Sequence, residues 1–232
     1  MKIFLLGGTG KLGRRLIEVL KRKNIDFFSP THPECEIEDI EQIRKYIEVE
    51  RPNVILHSAG FVNTLKAEVN RERCVKVNVL GTYNIVQLCR EYSIRLVYIS
   101  TEYVFSGEEE VYVPSSSMDP KNIYGLTKGC GELIVRTLND YIVIRAPFIR
   151  DVVFPYENAF TNQYTSRQYV HEITEDIINC SVSNEIGIKH IVGKYQSVYE
   201  LAKQTKPDVG GIELSKDMEK YIPLKLNLIG DE

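Results

Sequence analysis

The sequence has little that would tie it to a membrane, a nucleic acid, a metal or a disulfide frame. No apolar run in its 232 residues approaches the roughly 18 residues that a membrane span needs. The opening MKIFLLGG is too short for a secretory apolar region and runs into a glycine turn, so no leader is expected. Lys and Arg number 29 against 32 Asp and Glu, and a net charge of −3 excludes a strong field for nucleic acid or anionic lipid. The 14 tyrosines lack the basic interleaving that single-stranded nucleic acid calls for. Cys35, Cys74, Cys89, Cys130 and Cys180 include no CxxC pair and are odd in number. They read as small core residues in a reducing compartment, and the chain is expected to be cytoplasmic. His32, His57, His171 and His190 do not cluster at ligand spacing, so no metal site is expected. No internal repeat or low-complexity linker breaks the chain.

What is present is an ordinary globular composition, 43% hydrophobic and 26% charged. That composition argues against disorder and is ample for a packed core. Lys2–Leu6 is a continuous apolar run stopped by glycines and reads as a buried strand. Lys11–Lys23 follows with Leu12, Leu16, Val19 and Leu20 at helical spacing. Strands are expected at Ile25–Phe28, Asn53–His57, Arg95–Ser100 and Tyr141–Arg145, with helices at Asp39–Glu48, Cys74–Tyr92 and Ile123–Leu138 between them. The Cys74–Tyr92 helix is apolar on several sides, which predicts cover from more than the sheet. Apolar strands alternating with helices predict an α/β fold, a doubly wound parallel sheet covered on both faces. Beyond Ala146 the pattern weakens into short segments at Val170–Cys180, Ile188–Val192 and Val198–Lys203, then a polar tail.

Gly7, Gly8, Gly10 and Gly13 lie between the first strand and the first helix. The spacing Gly7-x-x-Gly10-x-x-Gly13 suits a dinucleotide pyrophosphate at a helix N-terminus, where backbone N–H groups can approach phosphate. The alternative is a plain strand–helix turn. A Walker A loop is excluded, because it would need glycine at Leu5 and a hydroxyl at Leu12. A nicotinamide dinucleotide without a 2′-phosphate would want a carboxylate closing the second strand, yet none follows Phe28 until Glu34. Ser29, Thr31 and His32 offer no repulsion to a 2′-phosphate, and Lys11, Arg14 and Arg15 could meet one. NADP(H) is therefore slightly favoured and NAD(H) is allowed.

Tyr124 and Lys128 stand four apart on one helix and share a face. A phenol is a weak acid near neutrality, and a neighbouring ammonium brings proton exchange within reach. A surface pair is the bland alternative. Gly125, Gly129 and Gly131 on the same helix predict that something packs very close to it. Ser100 and Thr101 lie where the fourth strand ends, the usual place for a ligand in an open parallel sheet.

These residues carry a resemblance. Gly7–Gly13, Ser-Thr-Glu-Tyr-Val-Phe at 100–105, Pro120-Lys-Asn-Ile-Tyr-Gly-Leu-Thr-Lys128 and Gly131-Glu132 resemble the extended short-chain dehydrogenases/reductases, and among them the dTDP-4-dehydrorhamnose reductases. The resemblance covers 1–150 well and continues faintly beyond. It implies a Rossmann-type dinucleotide half at 1–150, with contributions from about 162–180, and a small, trimmed substrate region at 151–232. It implies Tyr124 as general acid, Lys128 on the nicotinamide ribose and Thr101 on the keto group. The cofactor would meet Gly7, Gly10, Lys11, Leu12, Gly13, Glu36, Ile37, Ala59, Gly60, Asn78 and Ser100 as well as Tyr124 and Lys128. The substrate would meet Lys66, Thr101, Glu102, Tyr103 and Phe148. The expected reaction is NAD(P)H-dependent reduction of a 4-keto-6-deoxy nucleotide sugar, with an epimerase/reductase as a near neighbour. A homodimer stays open. A non-catalytic regulatory subunit, like the β subunit of methionine adenosyltransferase, is the alternative from another class.

The sequence also departs from the family pattern. Glu102 stands for an aspartate, His57-Ser58 for Asn-Ala, Leu65 for an aspartate, and Arg167-Gln168 for a Pro-Thr pair. The stretch Arg150–Thr161 is expected to be too short for the helix that walls the substrate site in relatives.

Overall fold

In the computed structural model, which describes residues 1–230, the first half follows the alternation of the sequence. β1 (Lys2–Leu6), α1 (Lys11–Arg22), β2 (Asp26–Phe28), α2 (Ile40–Glu50) and β3 (Val54–His57) come first. α3 (Thr64–Val69), α4 (Arg71–Val75), a π-helical turn at Lys76–Gly81 and α5 (Thr82–Tyr92) lead to β4 (Arg95–Ser100). α6 (Ile123–Val135) and β5 (Tyr141–Arg145) complete this half. The expected Cys74–Tyr92 helix is thus one helical run begun earlier and widened in its middle. A short pair, β6 (Phe148–Ile149) and β9 (Gln168–Tyr169), brackets β7 (Asn158–Phe160) and β8 (Tyr164–Thr165). α7 (Val170–Val182), β10 (Gly187–His190), β11 (Gln196–Ser197) and α8 (Val198–Lys203) follow, then β12 (Gly210–Ile212), α9 (Lys216–Glu219) and β13 (Lys225–Leu226).

The main sheet is parallel, in the order β10-β5-β4-β3-β1-β2. Alternate strand residues serve opposite layers, as the period of two requires. Ile3, Leu5, Val54, Leu56 and Val97 meet Leu16 and Leu20 of α1 and Ile173 and Ile177 of α7. Phe4, Leu6, Ile55, Leu96 and Tyr98 meet Ile43 and Ile47 of α2, Ile85 and Leu88 of α5 and Val135 of α6. Both faces being apolar and covered is the reason the strands read as unbroken hydrophobic runs.

α7 packs on the sheet, within the 162–180 stretch expected to contribute to the dinucleotide half, and β10 extends the sheet beside β5. The polar tail is folded back: β12 pairs with β7, β13 with β8, and Leu228 bridges to Tyr112. Leu226 and Leu228 there are buried against Val104, Phe105 and Tyr112, a core that no local periodicity announces. No helix covers 150–161, which holds only β7. Among the described residues no helix is long and apolar enough to cross a membrane.

Candidate active site

A single cavity of about 740 Å3 runs along the carboxyl ends of the strands from the glycine turn to Tyr124. Gly7 turns at φ +91°, and a Cβ on Gly13 would lie 2.2 Å from the Gly7 carbonyl oxygen. Only glycines let α1 start this close to β1. Gly10 caps α1 without a side-chain bond, so among the described residues the first N–H groups of α1 have no side-chain acceptor at the cavity wall. Such a terminus suits an anion, and the cavity's length and its lining by Gly7, Gly10, Ala59, Gly60, Ser100 and Lys128 suit a dinucleotide.

Of the expected cofactor residues, Gly7, Gly10, Lys11, Leu12, Gly13, Ile37, Ala59, Gly60 and Ser100 line this cavity. Glu36 does not: it is exposed, and its backbone N–H donates to Gln42. Asn78 is buried behind the wall. Its amide accepts from the Phe61 N–H at 2.8 Å and donates to the Phe61 carbonyl and to Thr127, clamping the 59–61 loop to α6. It shapes the site without facing it. The basic residues near the turn are engaged as well. Lys11 pairs with Asp151, Arg15 with Glu18, and Arg14 donates to the Thr9 carbonyl. The Ser29 hydroxyl donates to the Leu5 carbonyl and the Thr31 hydroxyl to Glu34, so neither hydrogen is free for a phosphate.

At the other end, Thr101, Glu102, Tyr103, Tyr124, Lys128 and Phe148 all line the cavity. Asn122 caps α6 by accepting from the Gly125 N–H at 2.7 Å, which places Tyr124 in its first turn. The close packing announced by the α6 glycines is the protein's own. A Cβ on Gly125 would lie 1.9 Å from the Tyr103 carbonyl oxygen and one on Gly131 2.2 Å from the Tyr98 hydroxyl, whereas Gly129 has ordinary room. Burial pushes the Tyr124 phenol up to about 12, opposed by a hydrogen bond from Thr101 and by the charge of Arg150. Burial pushes Lys128 down to about 7, and its ammonium lies 3.8 Å from the centroid of the Tyr98 ring. Desolvation, and not the expected drawing-down by Lys128, sets the direction of the phenol's shift in this arrangement. Lys66 is exposed on α3 and does not line the cavity, while its neighbour Leu65 does.

Behind the site lies a fully buried pair, Glu132 on α6 and Arg145 on β5, with the Ser100 hydroxyl donating to Glu132. Arg145 also donates to His190 Nε2 at 3.3 Å, and His190 Nδ1–H donates to the Ile229 carbonyl at 2.9 Å. Burial and the Arg145 charge hold this imidazole neutral, pushing it down to about 4. His57 is neutral for the same first reason, buried with Nε2 against Thr82.

Sequence reasoning passed over Arg167 as a site residue. It enters from the loop before β9, lines the cavity, pairs with Glu102 and donates to the Tyr103 hydroxyl at 2.8 Å. Glu102 is 2% exposed, and Thr165 donates to its other oxygen, so it faces Arg167 and not a ligand. The only signal in the sequence was that Glu102 and Arg167 both depart from the family pattern.

Comparison with known proteins agrees with this geometry. A family model described as the RmlD substrate binding domain matches residues 1–172. The chain is 33% identical over 146 residues to the dTDP-4-keto-6-deoxy-D-glucose reductase of Streptomyces niveus, covering 62% of this chain and 51% of that one. It is 30% identical over 151 residues to the dTDP-4-dehydrorhamnose reductase of Mycolicibacterium smegmatis, covering 64% and 46%. The chain thus spans about half the length of the curated relatives it matches. The solved dTDP-4-dehydrorhamnose reductase of Bacillus anthracis, in complex with NADP, superposes with a TM-score of 0.87 at 24% identity, over 99% of this chain and 90% of that one. That likeness carries the Rossmann-type fold into the second half, where sequence similarity fades. With its glycine turn, parallel sheet and 172 matched residues, the chain belongs to the RmlD substrate binding domain family.

Proposed function

We propose that the protein is an NAD(P)H-dependent reductase of a 4-keto-6-deoxy nucleotide sugar. The observation that carries this reading is the convergence of Thr101, Tyr124 and Lys128 on one cavity that begins at an uncapped glycine turn. The cofactor, when bound, supplies the hydride. Tyr124 gives its proton to the oxygen of the reacting carbonyl. Burial keeps the phenol protonated in the resting site, so it is a donor ready for reduction. Thr101 Oγ1 accepts from the Tyr103 N–H at 3.3 Å, which leaves its own hydrogen to orient Tyr124 or the carbonyl. Lys128 provides a cation whose charge is finely balanced near neutral pH.

The relatives named as dTDP-sugar reductases support the nucleotide-sugar class, and the NADP complex of the Bacillus anthracis relative supports the cofactor. A cavity lined by proton-transfer groups favours an enzyme over a regulatory subunit, which needs an exposed docking face instead. The test is a panel of nucleotide 4-keto sugars with NADPH and NADH, following the absorbance of the reduced nicotinamide. Oxidation of NADPH tied to one dTDP-4-keto sugar is the expected result. Net isomerisation without cofactor consumption would point to an epimerase, and no turnover of any sugar would end the proposal.

A further inference from the structure

Glu102 and Arg167 stand more than 60 residues apart, and each breaks the family pattern on its own. In the fold they are one feature. The Arg167 guanidinium gives Nε and Nη2 to Glu102 and Nη2 to the Tyr103 hydroxyl, while Nη1 makes no hydrogen bond among the described residues. Arg167 lines the cavity, and the Tyr103 ring meets the Tyr124 ring edge-on with centroids 6.2 Å apart. Two donors therefore border the reacting end: the open Nη1 hydrogens, and the Tyr103 hydrogen, freed because that hydroxyl accepts from Arg167.

The charge balance limits what they can bind. Glu102 is buried directly against the guanidinium and neutralises it. A carboxylate ligand would meet both charges and gain little, whereas a neutral hydroxyl only needs a donor. We infer that the Glu102–Arg167 pair is a sugar-recognition element that donates, through Arg167 and Tyr103, to a neutral hydroxyl beside the reacting carbonyl. This rests on the nucleotide-sugar reading above and adds the residues that discriminate the sugar.

The test measures calorimetric binding of dTDP and dTDP-L-rhamnose to NADPH-loaded protein, native and variant. The native chain is expected to bind dTDP-L-rhamnose more tightly than dTDP. Arg167→Met should weaken dTDP-L-rhamnose by at least about tenfold, the scale of a hydrogen bond to a charged group, and leave dTDP within about twofold, since a hydrogen bond lost to the sugar takes nothing from the nucleotide. Because Arg167→Met leaves Glu102 unbalanced, the double variant Glu102→Gln/Arg167→Met, which buries no charge, must show the same pattern. Glu102→Gln alone unbalances the guanidinium and should raise affinity for dTDP-glucuronate relative to dTDP-glucose. Loss of dTDP binding in step with dTDP-L-rhamnose, an unchanged advantage for the sugar, or no shift toward the uronate would each overturn the inference. A native chain that binds dTDP but gains nothing from the sugar also overturns it. A native chain that binds neither nucleotide overturns the nucleotide-sugar reading, and this inference with it.

Discussion

The two ends of the cavity are built by different means. At the cofactor end, contacts come from a short stretch of chain: β1 stops, Gly7 to Gly13 turn, and α1 begins, all within local reach. Backbone groups line the cavity there, so residue identity matters mostly through the absence of side chains. At the reacting end, Thr101, Tyr124 and Arg167 come from the end of β4, the start of α6 and the loop before β9. Side chains line the cavity there, and each is placed by packing far from it in sequence. A site of the first kind shows in a pattern of glycines. A site of the second kind shows only where a motif happens to preserve it.

The largest effect is expected at the reacting end. Tyr124→Phe should lower turnover by about 10²–10⁴-fold with little change in folding, because it removes the positioned proton. Steady-state kinetics checks this, and a loss within about threefold would remove Tyr124 as the general acid. The pair behind the site should fail differently. Arg145→Met leaves Glu132 buried and unpaired, and should cost roughly 3–5 kcal/mol of stability by urea unfolding. The double variant Glu132→Gln/Arg145→Met should recover much of that loss, as expected of a pair that serves the scaffold.

Lys128 links stability to pH. Its folded value near 7 lies below the unfolded 10.5, so between those values the unfolded chain holds more protons and stability rises with pH. Lys128→Met should therefore stabilise most at or below pH 7, its advantage falling by about 1.4 kcal/mol per unit toward pH 10. Urea titrations at pH 6, 8 and 9.5 would show this, and a constant difference would contradict it.

Cofactor selectivity should be the smallest effect. Ser29, Thr31, Arg14 and Arg15 are internally engaged, so NADPH should be preferred over NADH by no more than about 1 kcal/mol, the scale of exposed charge contacts. Titration of both cofactors at low and high salt measures it. A preference above about tenfold would show that these residues release their present partners for the phosphate.

β1, β4 and β5 could be bounded from the sequence because each is a continuous apolar run ended by a turn or a polar residue. The Tyr124–Lys128 pair was legible because helical spacing alone puts i and i+4 on one face. Glu36 and Asn78 were misplaced because a motif gives position along the chain and not the direction of a side chain. Asn78 belongs to the π-helical turn and points at Phe61 and Thr127. Leu226 and Leu228 were missed since their partners lie more than 100 residues away, around Val104 and Tyr112.

Taken by itself, the sequence determined the layered parallel sheet, the glycine turn and the helix that carries Tyr124. Those features depend on local propensity, on periodicity and on backbone sterics, which act over a few residues. Only the tertiary structure decided that β10 joins the main sheet, that Asn78 clamps a loop, and that Arg167 reaches Glu102. A burial-driven pKa belongs to the same class. The Tyr124 phenol and the Lys128 ammonium move in opposite directions because desolvation penalises whichever form is charged, and desolvation is set by everything packed around them.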